Sequence, residues 1–182
     1  SPMATLGKFI KEHDPDAKIV FIGPCTAKKA EIKQDHVKDY IDYVLTFEEL
    51  QALIDSKDII VEELPETSLD EASYFGRIFA RSGGVTAAVE EAVKELNPEG
   101  FVFNPIVCDG VDKCKPALMR ASKGLMKDYN FIEGMICSGG CIGGAGCLTH
   151  GPANKKEVEE YGKESSAETI KSAIDRAEEQ GL

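Results

Sequence analysis

The sequence predicts an α/β fold: a mostly parallel, four-stranded sheet flanked by helices, forming one lobe and followed by a C-terminal helix. Four short apolar runs of strand length alternate with stretches whose apolar residues recur at helical spacing. Strands separated by helices favour parallel pairing with both sheet faces covered. The length of 182 residues and the apolar fraction of 42% suit one such core and are short for two.

The strand runs are residues 18–23 (KIVFIG), 41–46 (IDYVLT), 104–109 (NPIVCD) and 131–137 (FIEGMIC). A helix over 47–57 starts just after Thr46, a suitable N-cap, and sets Leu50, Leu53 and Ile54 on one face. Residues 58–64 read as a short edge strand or an extended link, and 64–73 (LPETSLDEAS) as an acidic, turn-rich surface loop. The longest apolar stripe, Val85, Ala88, Val89, Ala92, Val93 and Leu96, predicts a helix over 82–96 that stops at Asn97-Pro98. Leu118 and Met119 mark a helix over 115–124, with Gly124 as its C-cap. From Lys155 the chain is charged and helix-favouring, and Ile170, Ala173, Ile174 and Ala177 predict a terminal helix over 167–180. The division expected is a lobe of residues 1–150, then a charged linker and helix over 151–182.

A net charge of −11, from 32 acids against 21 bases, argues against a nucleic-acid partner. The absence of a long apolar run predicts no membrane span, and the opening SPMATLGKFIKEH lacks the apolar region of a secretory leader. The expected compartment is the cytoplasm. Six cysteines in such a chain point to metal binding or redox chemistry rather than disulfides.

Ligands of parallel sheets gather at the carboxyl ends of strands. Pro24-Cys25-Thr26 follows the first run, Cys137-Ser138-Gly139-Gly140-Cys141 follows the fourth, and Ser82-Gly83-Gly84 precedes the long helix. Three special loops are thus expected at one sheet edge. Iron–sulfur clusters need thiolates on loops that leave the sulfides room, which glycine provides. Two cysteines separated by three residues within CSGGCIGGAGC suit a cubane. Zinc held by Cys137, Cys141, Cys147 and His150 is the rival reading.

Two stretches make a resemblance specific. Gly23-Pro24-Cys25-Thr26-Ala27-Lys28-Lys29-Ala30-Glu31 resembles the second signature of iron-only (di-iron) hydrogenases, a Pro-Cys followed by Lys and then Glu. Residues 133–144 resemble their third, Glu-x-Met-x-Cys-x-x-Gly-Cys-x-x-Gly-Gly. Ser82-Gly83-Gly84-Val85 is similar to a Gly-Gly-Val segment of the family, and Ser1-Pro2 to the Ser-Pro after its first signature. The similarity runs from the first residue to about residue 150 and implies the C-terminal part of the catalytic domain of the large subunit.

The resemblance implies that Cys25, Cys137 and Cys141 are ligands of a 4Fe-4S cubane, with Cys141 also bridging to a di-iron subsite (together the H-cluster). It implies that Lys28 faces the cyanides of that subsite and that Met135 packs against it. Gly83, Gly84 and Pro24 would let backbone approach the same group, and Glu31 would support them structurally. The implied activity is reversible reduction of protons to hydrogen in a longer polypeptide. That polypeptide would supply an N-terminal remainder and receive electrons from a carrier such as ferredoxin. The first signature, with one more cubane cysteine and a proton-carrying cysteine, does not occur in the sequence, so this chain alone is expected to be inactive.

Two departures point toward a divergent, sensory branch. Gly23 stands where the standard enzymes carry Met, and Gly143-Gly144-Ala145-Gly146-Cys147 replaces their Gly-Gly-Gly-Gln-Pro ending. A hydrogen- or redox-sensing domain, or a non-catalytic iron–sulfur protein akin to cytosolic cluster-assembly factors, are the alternative functions. Cys108 reads as a buried thiol. Cys114, at a helix start, reads equally as structural or redox-active. Cys147 is open between ligand, proton relay, partner of Cys114 and chance. His13, His36, His150 and Lys29 read as surface residues, Met119 and Met126 as core, and the acids of 62–71 as a solvated face.

Overall fold

The four apolar runs become four short strands in the computed structural model, which describes residues 1–67, 69–70 and 72–179. They are β1 Val20–Ile22, β2 Tyr43–Leu45, β3 Pro105–Asp109 and β4 Phe131–Met135. Every pairing is parallel, as expected, but the strands bond as two pairs, β1 with β2 and β3 with β4, instead of one four-stranded sheet. The division follows the chain's split into two compact units. One is Ser1–Ser68 with Gly144–Thr149, and the other is Leu69–Gly143 with His150–Gly181. Residues 150–179 thus group with β3 and β4.

In the first unit, α1 (Pro2–His13) opens on Ser1 as N-cap with Pro2 in its first position, where the missing N–H costs nothing. Met3 of α1 packs with Val37, Ile41 and Val44, and Phe21, Ile32 and Tyr40 close around them. A single turn, α2 (Lys28–Glu31), follows the Pro24-Cys25 loop. α3 (Phe47–Asp55) starts where the sequence places it. Thr46 Oγ1 accepts from Glu49 N at 3.2 Å and Glu49 Oε2 accepts from Thr46 N at 2.9 Å, a reciprocal capping box. The ambiguous stretch 58–64 contains a 3-10 turn, Val61–Glu63. Residues 144–149 return to this unit: Gly146 N donates to Pro24 O at 3.0 Å, and Phe47 N donates to Gly146 O at 3.2 Å.

The second unit packs α4 (Tyr74–Arg77), α5 (Gly84–Leu96), α6 (Val111–Ser122), α7 (Ala153–Lys163) and α8 (Ile170–Glu179) with β3 and β4. α5 stops at Asn97 in the left-handed conformation, and Gly124 follows α6 with φ of 67°. α6 begins at Val111, four residues before the expected Lys115. Proline favours a first helical turn, so Lys115-Pro116 reads as a start. The structure instead holds Pro116 inside the helix and turns Cys114 and Ala117 into the core beside Cys108. α8 receives its N-terminal anchor from Glu95, whose two oxygens accept from Ile170 N at 2.7 Å and Lys171 N at 2.9 Å.

The acidic loop is more than a solvated face. Asp70 accepts from Arg77 at 2.7 Å, from Arg176 at 3.1 Å, from Ser166 N at 3.1 Å and from the Ser166 hydroxyl. Ser68, Glu71 and Gln180, which fall in the expected loop and terminal helix, lie outside the described residues.

Candidate metal centre

β4 leads directly into the cysteine loop of the second unit. Gly110 N donates to Met135 O at 2.8 Å, which extends the β3–β4 ladder by one bond. Asp109 then reaches across. Its Oδ2 accepts from Gly139 N at 2.9 Å, and Lys113 Nζ lies 2.5 Å from Oδ1. The Lys113 ammonium, then the Gly139 N–H, hold the Asp109 carboxyl below the usual carboxylate range.

The other side of the loop lies against the turn before α5. Ser82 N donates to Gly139 O at 2.9 Å, Ile142 N donates to Ala80 O at 3.0 Å, and Arg81 and Gly140 form an antiparallel bridge. Gly140 has φ of 98°, and a Cβ there would sit 2.4 Å from Ser82 N. Only glycine fits that approach. Cys137 and Cys141, at the two ends of this braced loop, are half-buried.

The Gly83-Gly84 turn is held from beneath by a residue the sequence reading left without a role. Glu133 of β4 is 4% exposed. Its Oε1 accepts from Gly83 N at 2.7 Å, and its Oε2 accepts from Thr86 N at 2.7 Å and Thr86 Oγ1 at 2.6 Å. Gly84 N donates to Arg81 O at 3.0 Å. Both glycine N–H groups are therefore already engaged, so what this turn offers a ligand is room and not donors. An acid inside an apolar strand was the available signal for Glu133; its partners lie 47 to 50 residues away.

In the first unit, β1 delivers Gly23, Pro24 and Cys25. Pro24 is buried with its carbonyl taken by Gly146 N, and Cys25 is half-buried. Lys28 Nζ lies 2.5 Å from Glu31 Oε2, and the Ser1 hydroxyl donates to the same carboxylate. Burial would raise the Glu31 pKa, but the bonds from Lys28 and Ser1 outweigh it and leave the group below its usual range. A Cβ on Gly23 would lie 2.8 Å from the Phe21 ring. The space that a larger residue would need at 23 is taken by that ring.

Cys25, Lys28 and Pro24 thus belong to the first unit, and Cys137, Cys141, Met135, Gly83 and Gly84 to the second. Among the described residues no three His, Cys, Asp or Glu side chains are gathered as ligands of a single ion. Cys114 is 1% exposed and a free thiol; its Sγ lies 3.3 Å from both Cys108 O and Met135 O. Burial pushes this thiol's pKa up, which disfavours the thiolate, and Cys114 and Cys147 form no disulfide. Cys108 is buried as expected, and Cys147 is buried in the first unit.

No described helix is long and apolar enough to cross a membrane. In the second unit, two half-buried thiols, Cys137 and Cys141, stand on a loop after β4 whose backbone is fixed and whose glycines leave space. Such a loop fits an iron–sulfur cluster.

Comparison with known proteins agrees. The chain is 29% identical to iron hydrogenase 1 of Clostridium pasteurianum, over 87% of this chain and 35% of that protein. It is 30% identical to the periplasmic Fe hydrogenase large subunit of Nitratidesulfovibrio vulgaris, over 78% of this chain and 42% of that one. It therefore spans well under half the length of these relatives. An apo FeFe-hydrogenase variant from Chlamydomonas reinhardtii superposes with a TM-score of 0.60 at 18% identity, covering 95% of this chain and 62% of the other. A second variant from that organism gives 0.58 at 19%, over 91% and 59%. These structures establish the fold. The family described as "Iron only hydrogenase large subunit, C-terminal domain" matches residues 1–145, and the chain belongs to that family.

Proposed function

We propose that this chain is the cluster-carrying C-terminal part of an iron-only hydrogenase that reversibly reduces protons to hydrogen. The supporting observation is the Cys137–Cys141 loop, whose half-exposed thiols stand on a backbone clamped between Asp109 and the 81–84 turn. When bound, the H-cluster supplies the redox chemistry, through a cubane that passes electrons and a di-iron subsite that handles protons. The chain's own residues hold and tune it. Cys25, Cys137 and Cys141 would supply its thiolate ligands. Lys28 presents an ammonium to anionic ligands, aimed by Glu31. Met135 would pack against the bound group, and Gly83, Gly84 and Pro24 would let backbone approach it.

The fourth cubane ligand and the proton-carrying cysteine come from the N-terminal remainder of the polypeptide, and a ferredoxin-type carrier delivers electrons. We place the protein in the cytoplasm, where free thiols such as Cys25 and Cys137 are kept reduced. Anaerobic loading with iron and sulfide tests the ligand set. C137S, C141S and C25S should each lose bound iron and sulfide, whereas C114S should keep them. Uptake unaffected by those three substitutions, or zinc in place of iron, overturns the proposal. In the matured full-length protein, infrared bands of carbonyl and cyanide should appear. The chain alone should evolve no hydrogen.

Gly23 with the Phe21 ring in its place, and buried Cys147, favour a second reading as a hydrogen or redox sensor with the same site. Fast turnover by the full-length protein would exclude it.

A further inference from the structure

We propose that Glu133 is a positioning residue for Cys137 and Cys141, acting through the 81–84 turn. This rests on the reading that the loop carries the cluster, though the geometry can be tested without one. A carboxylate in the middle of an apolar strand is costly unless its oxygens are fully bonded. Glu133 meets that condition with three donors from the first turn of α5: Gly83 N, Thr86 N and Thr86 Oγ1. The N-cap of α5 is glycine and has no side chain to cap with, so the cap arrives from β4.

The consequence lies on the far side of the same turn. Ser82 N and Ala80 O bond Gly139 O and Ile142 N, which flank Gly140 and Cys141. The turn is therefore gripped twice, once by the Glu133 side chain of β4 and once by the backbone of the loop that β4 feeds, at Gly139 and Ile142. The circuit from Glu133 to Gly83, to Ser82, to Gly139 and back along the chain closes on itself. It sets where Cys137 and Cys141 stand relative to β4. Without the carboxylate the turn loses its registration to the strand, and its bonds to the loop open more often.

The test uses the whole chain, with Glu133→Gln and Thr86→Val as the altered forms and Thr86→Ser and Ala173→Gly as controls. Glu133→Gln keeps the volume but turns an amide NH2 toward backbone donors. Thr86→Val removes only the hydroxyl, and Thr86→Ser restores it. By amide exchange, Glu133→Gln should speed Gly83 and Thr86, and also Ser82 and Ile142, by about ten-fold or more. Thr86→Val should do so to a smaller degree, and Thr86→Ser should match wild type. After anaerobic loading with iron and sulfide, the electron paramagnetic resonance spectrum of the reduced cluster should change in Glu133→Gln and Thr86→Val. It should not change in Thr86→Ser or in the α8 variant Ala173→Gly. Exchange at Ser82 and Ile142 equal to wild type in both Glu133→Gln and Thr86→Val overturns the proposal, as does an identical spectral change in Ala173→Gly. If wild type takes up no cluster, the reading of the loop fails, while the exchange comparison still decides the role of Glu133. If Glu133→Gln does not fold, Thr86→Val carries both measurements.

Discussion

Gly140 and Cys114 bound the cysteine loop, one by what it lacks and the other by where its sulfur is kept. Gly140→Ala meets both a positive φ of 98° and a Ser82 N only 2.4 Å from the new Cβ. The expected cost is roughly 1–3 kcal/mol or more, read from a urea midpoint, with loss of the Ser82–Gly139 bond seen by amide exchange. Cys114 differs from Cys137 in kind. Its thiol is sealed and its ionisation is disfavoured by burial, whereas Cys137 is half-exposed. A thiol-alkylating reagent at pH 8 should modify Cys137 at least about ten-fold faster than Cys114 in the folded chain, and the two should become equal in denaturant. Equal rates in the folded chain would mean that Cys114 is not sealed.

Elements were most legible where local chemistry and packing agree. Thr46 followed by Glu49 announces a helix start, and the structure forms both halves of that capping box. Thr46→Ala should cost about 1 kcal/mol in a urea titration. The same agreement places α5 between Gly83 and Asn97. The sequence shows no helix signal at α1 and, for α7, only the charged, helix-favouring run from Lys155. Leu6 and Phe9 of α1 stay largely exposed, so its apolar stripe is thin, and Ser1-Pro2 signalled a motif before it signalled a cap. α7 is almost wholly polar and packs on α4 through Gly162, which meets Ile78 and Tyr74. α6 was started late because Pro116 mimics a first turn.

At the scale of a whole unit, Asp70 ties the segment before α4 to Arg77, Ser166 and α8. The Ser166 hydroxyl and N–H, then the charges of Arg77 and Arg176, hold its carboxyl below the usual range. The folded state thus favours the ionised form. The stabilisation is fully present above the ordinary carboxylate pKa of about 3.9 and is lost as pH falls through the lower native value. Relative to its intrinsic rate, which itself falls with pH in this range, amide exchange in α8 should therefore speed up on acidification below about pH 4. In Asp70→Asn it should be fast already at pH 7 and lack that acid dependence. The cysteines of the candidate site were legible because thiols on glycine loops are rare outside metal chemistry. Glu133 and Asp70 were not, because a buried or bridging carboxylate is defined by donors far away in the chain, which no local pattern displays.

The return of Gly146 to Pro24 and Phe47 has a consequence for how the protein is made. Emerging from the ribosome, Ser1–Ser68 cannot satisfy Pro24 O or Phe47 N as the folded state does until all of Leu69–Gly143 has been synthesised. Sequential folding of the two units is interrupted here, and the last contacts of the first unit are among the latest to form. The nascent first unit, with the Cys25 loop unlatched, is the stage at which chaperones or premature oxidation would have access to it.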